Sequence, residues 1–585
     1  MDSPKQSVLV LDGDMVAALT IARSLARRGV RVDLASHLAG VTASYSRAVT
    51  GFYCYPDPLS REDAFLDWLE KHLSFQQYDL VIPVTERTLV PISQHRAQLS
   101  GSTIAMAASD SLEVVLDKAR TIALADELDI PVPVSITINA PGELKGVDGR
   151  FQYPVVIKPA RSVGRSGHGR AQLKVEYAFT GEQLDARVRH ALHFGPVILQ
   201  EYVKGDGVGV EILAREGDIL YAFQHQRLHE VPLTGGGSSL RKSVAVEPAL
   251  LDATRRLIAA LKWHGVAMVE FKCDRESGDH WLMEINGRFW GSLPLAVAAG
   301  ADFPAMLFDL LVGDKTDFPQ GYREGIHCRR LTSDIHWYEL ALRRAAPPEL
   351  DVVPSRWQLV KDLLLVFSPG HRFDVQSLRD IKPGVVEVWQ LIASYGERLK
   401  GIMADRWFYH CQARAWRSGK VYSKLSIANS VLFLCYGNIN RSALAEVYSR
   451  QSCLDAHFEL HSAGLHPESG RPADPAMVKV AQAAGIPLQD FSSTVLTGDL
   501  VAGASLILAM DKSHYDRVVE LYPDAASRTF LLGGADGSSG RAMAIADPYG
   551  RSEQDYQRCF NRVCQCIEGL GGLLESSVKI DRESV

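Results

Sequence analysis

The chain has 585 residues, 46% hydrophobic and 23% charged, the balance of a globular protein that at ~150 residues per domain holds about four structural units. Lys plus Arg number 63 and Asp plus Glu 69, a net charge of −6, which argues against nucleic acid as a partner. Residues 1–7 hold no basic-then-apolar leader, and the most apolar long window, 293–313, is broken by Asp302, Pro304 and Asp309, so neither an export signal nor a membrane span is expected. Nine scattered cysteines, an odd number, point to reduced thiols and a cytoplasmic location. Cys564-Gln565-Cys566 has no second Cys/His pair at zinc spacing.

In chain order, residues 8–11 predict a strand, 17–28 a helix closed by Gly29, and 30–35 and 80–84 further strands. This alternation predicts a parallel α/β sheet over residues 1–115. The turn at Asp12-Gly13-Asp14 lacks the three spaced glycines of a dinucleotide loop. Residues 116–315 change rhythm, to strands in pairs with glycine-rich connections. Residues 316–425 read as a mostly helical extension or linker. Its segment 397–424 is basic and aromatic; it reads better as aromatics packed on a neighbouring domain with solvated charges than as a membrane-surface helix. Residues 426–585 restart the α/β pattern.

Two stretches carry chemistry. In the first, residues 154–159 form a strand that presents Lys158, followed by a glycine-rich loop containing Gly164 and Gly167, which suits phosphate but is weak evidence alone. Residues 265–271 and 281–286 predict two strands. Glu284 and Asn286 share a face by their i, i+2 spacing, and pairing of the strands places Glu270 beside them. Two carboxylates and an amide oxygen suit Mg²⁺, with Mn²⁺ as an alternative, and a cation offsets the cost of carboxylates flanked by apolar residues. In the order Asp117-Lys118, residues 130–133, 156–159, 199–203 and 283–288, these motifs resemble the ATP-grasp superfamily, in particular its carbamoyl-phosphate-synthetase-like carboxylate–amine ligases. The resemblance implies that Lys118 and Lys158 contact ATP phosphates, that Gln200, Glu201, Tyr202 and Val203 form the adenine hinge, and that Asp206 lies near the ribose. It further implies Mg²⁺ on Glu270, Glu284 and Asn286, Arg288 facing the transferred phosphoryl, and a preATP-grasp domain at 1–115. Glu86 reads either as a substrate contact or as a helix N-terminal carboxylate. His225, Arg227, His229 and Arg241 flank residues 234–239, which read as a mobile loop; Arg227 or Arg241 is a candidate partner for a substrate carboxylate.

In the second stretch, apolar residues 431–434 end at Cys435, and Arg441-Ser442 follow after five residues at the start of a helical run. Cys, five residues and Arg between a strand and a helix wraps backbone N–H groups around one anion and favours a thiolate. Asp547, in a loop with Pro548 and Tyr549, is a candidate general acid. Residues 430–570 resemble the low-molecular-weight protein-tyrosine phosphatases. That implies attack by Cys435, phosphoryl clamping by Arg441, support of the thiolate by Ser442 and proton transfer by Asp547. Asn440 stands where many relatives have a second cysteine, and Ala443 where proline is common. Arsenate reductases share this fold, but Cys559, Cys564 and Cys566 fall in an expected terminal helix.

The expected fold class is α/β and α+β multidomain: a preATP-grasp α/β domain (1–115), an ATP-grasp domain (116–315), a mostly helical linker (316–425) and a parallel-sheet α/β phosphatase domain (426–585). The expected function is an ATP-dependent ligase joining a carboxylate to an amine, plus Cys-dependent hydrolysis of a phosphomonoester or a phosphotyrosine protein. The alternative is a regulatory tyrosine phosphatase whose ATP-binding module is not a ligase. Self-association into a homo-oligomer stays open.

Overall fold

The computed structural model describes residues 6–583 apart from 100, 148, 161–162, 167–168 and 173–174. Two compact units emerge, Met1–Ile392 and Ala393–Val585.

The first unit opens with a five-stranded parallel sheet ordered Gly51–Cys54, Arg31–Ser36, Ser7–Val10, Leu80–Ile82, Thr103–Ile104. Its central strand is sealed on both faces: Val8, Leu9 and Val10 are wholly buried, which explains its unbroken apolar run. The following helix, Val16–Arg27, buries Ala18, Ile21, Ala22 and Leu25 and stops before Gly29, whose φ of 83° is a left-handed conformation that suits glycine. The apolar window at 293–313 is two helices, Leu293–Ala299 and Phe303–Gly313, bent 91° apart and buried in the core. Among the described residues no single helix is long and apolar enough to cross a membrane.

A four-stranded antiparallel sheet, ordered Glu176–Ala178, Val155–Pro159, Val197–Glu201, Ser135–Ile138, follows. The largest sheet has seven strands, ordered His280–Asn286, Gly265–Cys273, Asp206–Arg215, Asp218–Val231, Gly237–Val244, His327–Arg329, His371–Phe373. Residues 316–425 are mostly helical as expected, but their two short strands make the segment more than a linker. They complete the same sheet, and the wholly buried Arg241 pairs at 2.6 Å with Asp374 just beyond the last strand. Three-residue strands are too short to show an alternating pattern, so they were not legible in the sequence.

The second unit holds a parallel sheet ordered Glu459–Gly464, Ser430–Cys435, Leu506–Ala509, Thr529–Leu531. The C-terminal part of the helix Ile381–Arg417 packs on it: Trp416 Nε1 donates to Leu531 O at 3.1 Å, and the Phe408 and Tyr515 rings lie 4.9 Å apart. Trp407 is 68% exposed, so the packing expected of 397–424 holds for some of its aromatics and not for that one.

Candidate functional site

In the first unit a cavity of about 640 Å³ opens against the seven-stranded sheet. Strand register sets its floor: Glu270 lies directly opposite Glu284, and Met268 opposite Asn286, with a bulge after Glu270. Like charges facing each other across strands repel, and three cations offset them. Arg227 Nη2 lies 2.5 Å from Glu270 Oε1, Lys118 Nζ lies 3.3 Å from Glu284 Oε2, and Lys158 also lines the cavity. Asn286 Nδ2 donates to Glu270 at 3.0 Å and Glu284 at 3.3 Å, so both carboxylates converge on one amide. Lys118 is presented as the first residue of the helix Lys118–Glu127, whose N-cap Asp117 accepts from Ala119 N and Arg120 N.

The electrostatics follow from this clustering. Burial pulls the Lys158 ammonium down to about 8, with Glu284 opposing and Lys118 adding to the fall. Burial alone pushes the Glu284 carboxyl up, but Lys118, Lys158 and Arg227 together outweigh it and hold it at about 2. Burial raises the Glu270 carboxyl against the pull of Arg227.

Gln200, Glu201, Tyr202 and Val203 line the same cavity. Lys272, which sequence reasoning missed, closes over them: its Nζ donates to Val203 O at 3.1 Å and sits 5.2 Å from the Tyr202 ring centroid. Only its alternation with Glu270 on one strand signals that it faces the same way. An adjoining cavity of about 240 Å³ is lined by Thr85, Glu86, Arg87 and Arg288, and it shares Lys118, Glu284 and Asn286 with the first. Glu86 is both the first residue of a helix and a partner of Arg288 at 3.4 Å.

In the second unit Ser430–Cys435 is buried throughout and ends at Cys435, and the helix Arg441–Arg450 begins six residues later. Cys435 Sγ lies 2.9 Å from Ser442 Oγ and accepts from Asn438 N at 3.1 Å. Asn438, at φ 51°, braces the loop: its Nδ2 donates to Ser442 Oγ (2.9 Å) and Ser462 Oγ (2.8 Å), and its Oδ1 accepts from Thr494 N (2.7 Å). Gly464 lets the loop approach closely, since a Cβ there would sit 2.7 Å from Tyr436 O. Arg441 is buried. Its Nη2 meets Asp547 at 2.6 Å, and its Nη1 meets Asp511 and Ile545 O, each at 3.0 Å. A cysteine, an arginine and an aspartate 112 positions after the cysteine thus meet at the carboxyl edge of a parallel sheet.

Residues 430–583 match the low molecular weight phosphotyrosine protein phosphatase family. The stretch is 33% identical over 139 residues to the probable low molecular weight protein-tyrosine-phosphatase EpsP of Ralstonia nicotianae, spanning 91% of that protein and 24% of this chain. The chain belongs to the low-molecular-weight protein-tyrosine phosphatases. Residues 193–333 match the ATP-grasp family described as ATP-grasp in the biosynthetic pathway with Ter operon. Over 297 residues the chain is 23% identical to the carbamoyl phosphate synthase large chain of Acidobacterium capsulatum, covering 48% of this chain and 26% of that much longer protein. A solved L-amino acid ligase from Bacillus licheniformis is 16% identical with a TM-score of 0.42, covering 53% of this chain and 75% of that one. The protein is an enzyme with a low-molecular-weight tyrosine phosphatase domain over residues 430–583, and residues 193–333 match an ATP-grasp family model.

In the first unit, the structure brings Lys118, Lys158, Gln200–Val203, Glu270, Glu284, Asn286 and Arg288 to one cavity. Asp206 is not among the residues lining it: it accepts from Gln226 Nε2 at 2.9 Å and pairs with Arg275 at 2.5 Å. Gly164 lies in the strand Val163–Ser166, paired with Gly169–Gln172, and Gly167 lies outside the described residues. Residues 234–239, expected as a mobile loop, form the turn and start of a hairpin between Asp218–Val231 and Gly237–Val244, and 234–238 line the cavity. Arg241 is buried in an ion pair, and His229 is buried between Asp334 (2.7 Å) and Asp362 (3.1 Å). His225 is a buried neutral partner of Glu211, its imidazole driven down to about 3 by burial and the nearby guanidiniums. Of the four, Arg227 alone lines the cavity, and Glu270, Glu230 and Gly236 O occupy its Nη atoms. Arg241, wholly buried against Asp374, is unable to receive a substrate carboxylate.

In the phosphatase domain, Cys559, Cys564 and Cys566 sit in the terminal helix Glu553–Glu583, and burial pushes their thiols up to about 12, 12 and 11. Such thiols are poorly suited to resolve a disulfide.

Two measurements follow. On the expectation that Lys158 contacts ATP phosphates, KM for ATP rises as pH passes about 8, while Lys158→Arg, which keeps its charge, gives a flat profile. Asn438→Ala removes three contacts that brace the cysteine loop, so phosphatase kcat falls about 10–100-fold with KM little changed.

Proposed function

We propose that the chain is a bifunctional enzyme that activates a carboxylate with ATP for attack by an amine, and separately hydrolyses phosphomonoesters through a cysteinyl-phosphate. The observation that carries the ligase half is the meeting of Glu270, Glu284 and Asn286 opposite Lys118 and Lys158 in one cavity. The Glu270 and Glu284 carboxylates are hard-oxygen donors that would hold Mg²⁺, or Mn²⁺, brought in with nucleotide phosphates, with Asn286 beside them, and the ion would supply charge neutralisation at the transferred phosphoryl group. Lys118 and Lys158 bind the phosphate chain, residues 200–203 with Lys272 hold the base, and Arg288 faces the transferred group. An oxygen of the substrate carboxylate attacks the γ-phosphorus, the bond to the β-phosphate oxygen breaks and ADP leaves. The amine then attacks the acyl phosphate carbon, expelling phosphate and losing a proton.

In the phosphatase half, Cys435 Sγ attacks phosphorus while Asp547 protonates the departing oxygen. Asp547 then takes a proton from the water that cleaves the S–P bond. Ser442 and Asn438 N hold the sulfur, and Arg441 clamps the phosphoryl oxygens. Arg441 Nε, buried and without a partner among the described residues, is a donor left for that purpose. Tyr436 and Tyr549, 55% and 67% exposed on the loops carrying the nucleophile and the acid, favour an aromatic phosphoester, hence phosphotyrosine in a protein partner.

The ligase step is tested by hydroxylamine trapping. With ATP and Mg²⁺, one carboxylate of a panel yields hydroxamate and ADP in equal amounts. ADP formation without hydroxamate from any carboxylate contradicts the acyl-phosphate route. The phosphatase step is tested by the pH–rate profile, whose limb set by the general acid is lost in Asp547→Asn together with about 10²–10⁴-fold of kcat. An unchanged profile removes Asp547 from that role.

A further inference from the structure

The cavity of about 240 Å³ in the first unit shares Lys118, Glu284, Asn286 and Arg288 with the larger one, so a molecule in it reaches the groups assigned to phosphoryl transfer. Its own lining joins the apolar Leu59, Val115, Leu116 and Ile285 to the charged Glu86 and Arg87. The Arg87 guanidinium is engaged elsewhere: it meets His37 at 2.6 Å and Asp14 at 3.4 Å, at the carboxyl edge of the five-stranded sheet. Glu86 is held more loosely. The one hydrogen-bond partner of its side chain among the described residues is Arg288 Nη2 at 3.4 Å, longer than a good hydrogen bond. Arg288 Nε in turn is buried and has no partner among the described residues.

A carboxylate and a guanidinium 3.4 Å apart, each with bonding capacity to spare, match a ligand that carries the opposite charges on adjacent carbons. Its carboxylate takes Arg288 through Nε and Nη2, and its ammonium takes Glu86, so one long internal pair is exchanged for two close ones. An acid without the ammonium draws Arg288 away and leaves the partly buried Glu86 carboxylate uncompensated, a cost that selects against it. The volume lies below the ~300–1,000 Å³ of sites for drug-sized ligands and suits one small molecule, and the apolar lining favours an apolar side chain. We propose, resting on the ligase reading, that the acid activated here is a free α-amino acid with an apolar side chain, its carboxylate on Arg288 and its ammonium on Glu86. An ammonium held this way keeps its proton and has no lone pair to attack with. The attacking amine therefore belongs to a second molecule, and the amino acid supplies the acyl side of the new amide bond.

The test is hydroxylamine trapping by the full chain with ATP and Mg²⁺. Leucine, methionine and phenylalanine are compared with the same acids lacking the amino group, and with glutamate and lysine. Hydroxylamine nitrogen attacks the acyl carbon, loses a proton and expels phosphate, so each activated acid appears as its hydroxamate beside one ADP. At least one apolar amino acid is expected to exceed its deaminated analogue by about 10²-fold or more in kcat/KM. Glu86→Gln is expected to raise KM for that amino acid about 10²-fold, leave KM for ATP unchanged and cut the preference below about tenfold. Glu86→Asp, which keeps the charge, keeps the preference. A merely structural Glu86 weakens both acids alike and leaves their ratio as it was. Three results overturn the amino-acid site while the ligase reading stands: a deaminated acid used as well as its amino acid, hydroxamate from none of the three apolar amino acids but from another acid, or a preference unchanged in Glu86→Gln. Hydroxamate from no acid at all overturns both.

Discussion

Cys435→Ser lowers hydrolysis of a phosphotyrosine peptide by about 10⁴-fold or more and leaves ATP turnover at its wild-type rate. The size follows from the chemistry. The sulfur is the atom that bonds to phosphorus, and a serine oxygen at the same place keeps its proton at neutral pH with no base beside it. Its neighbours are Ser442 Oγ at 2.9 Å and Asn438 N at 3.1 Å, which support a negative sulfur and cannot deprotonate an alcohol. Substrate still binds, because Arg441 and the loop amides are untouched. Stopped-flow phosphate release and equilibrium peptide binding check both halves: kcat collapses while Kd changes by less than about tenfold. A variant that keeps a tenth of wild-type turnover displaces Cys435 as the nucleophile.

Glu284→Gln lowers ADP formation by about 10²–10³-fold, raises the Mg²⁺ concentration for half-maximal rate about tenfold or more, and leaves phosphatase activity unchanged. Glu284 is the hub of its cavity. It faces Glu270 across the strands, accepts from Asn286 at 3.3 Å and pairs with Lys118 at 3.3 Å. Lys118, Lys158 and Arg227 keep its carboxyl ionised down to about pH 2, so it is charged at any pH where the enzyme works. An isosteric amide keeps the shape and removes that charge. Rates measured across a Mg²⁺ titration separate weakened metal binding, which high Mg²⁺ restores, from lost phosphoryl transfer, which it does not.

The parts of this architecture that were legible in the sequence are those set by local pattern. The buried strand at residues 8–11 and the helix ending before Gly29 appear within a residue of expectation, as Ser7–Val10 and Val16–Arg27. Glu284 and Asn286 share a face because strand geometry alone requires it, and the register then places Glu270 opposite Glu284. What stayed hidden depends on long-range pairing. The ion pair of Arg227 with Glu270 joins different strands, and no spacing announces it. The burial of Arg241 depends on Asp374, 133 positions away, beside a strand too short to read. Asn438 was visible as a loop residue between Cys435 and Arg441. Its part in bracing Ser442, Ser462 and Thr494 became clear only once those elements met.

The central claim is that one chain carries two independent active sites, and the most direct test crosses the two variants with the two products. ADP and phosphate release are followed in wild type, Glu284→Gln and Cys435→Ser, with the carboxylate and amine that give hydroxamate and product, and with a phosphotyrosine peptide. The account predicts that Glu284→Gln loses only carboxylate-dependent ADP formation and Cys435→Ser loses only peptide dephosphorylation. Loss of both activities in either variant contradicts independent sites, and ADP formation that no carboxylate stimulates contradicts the ligase.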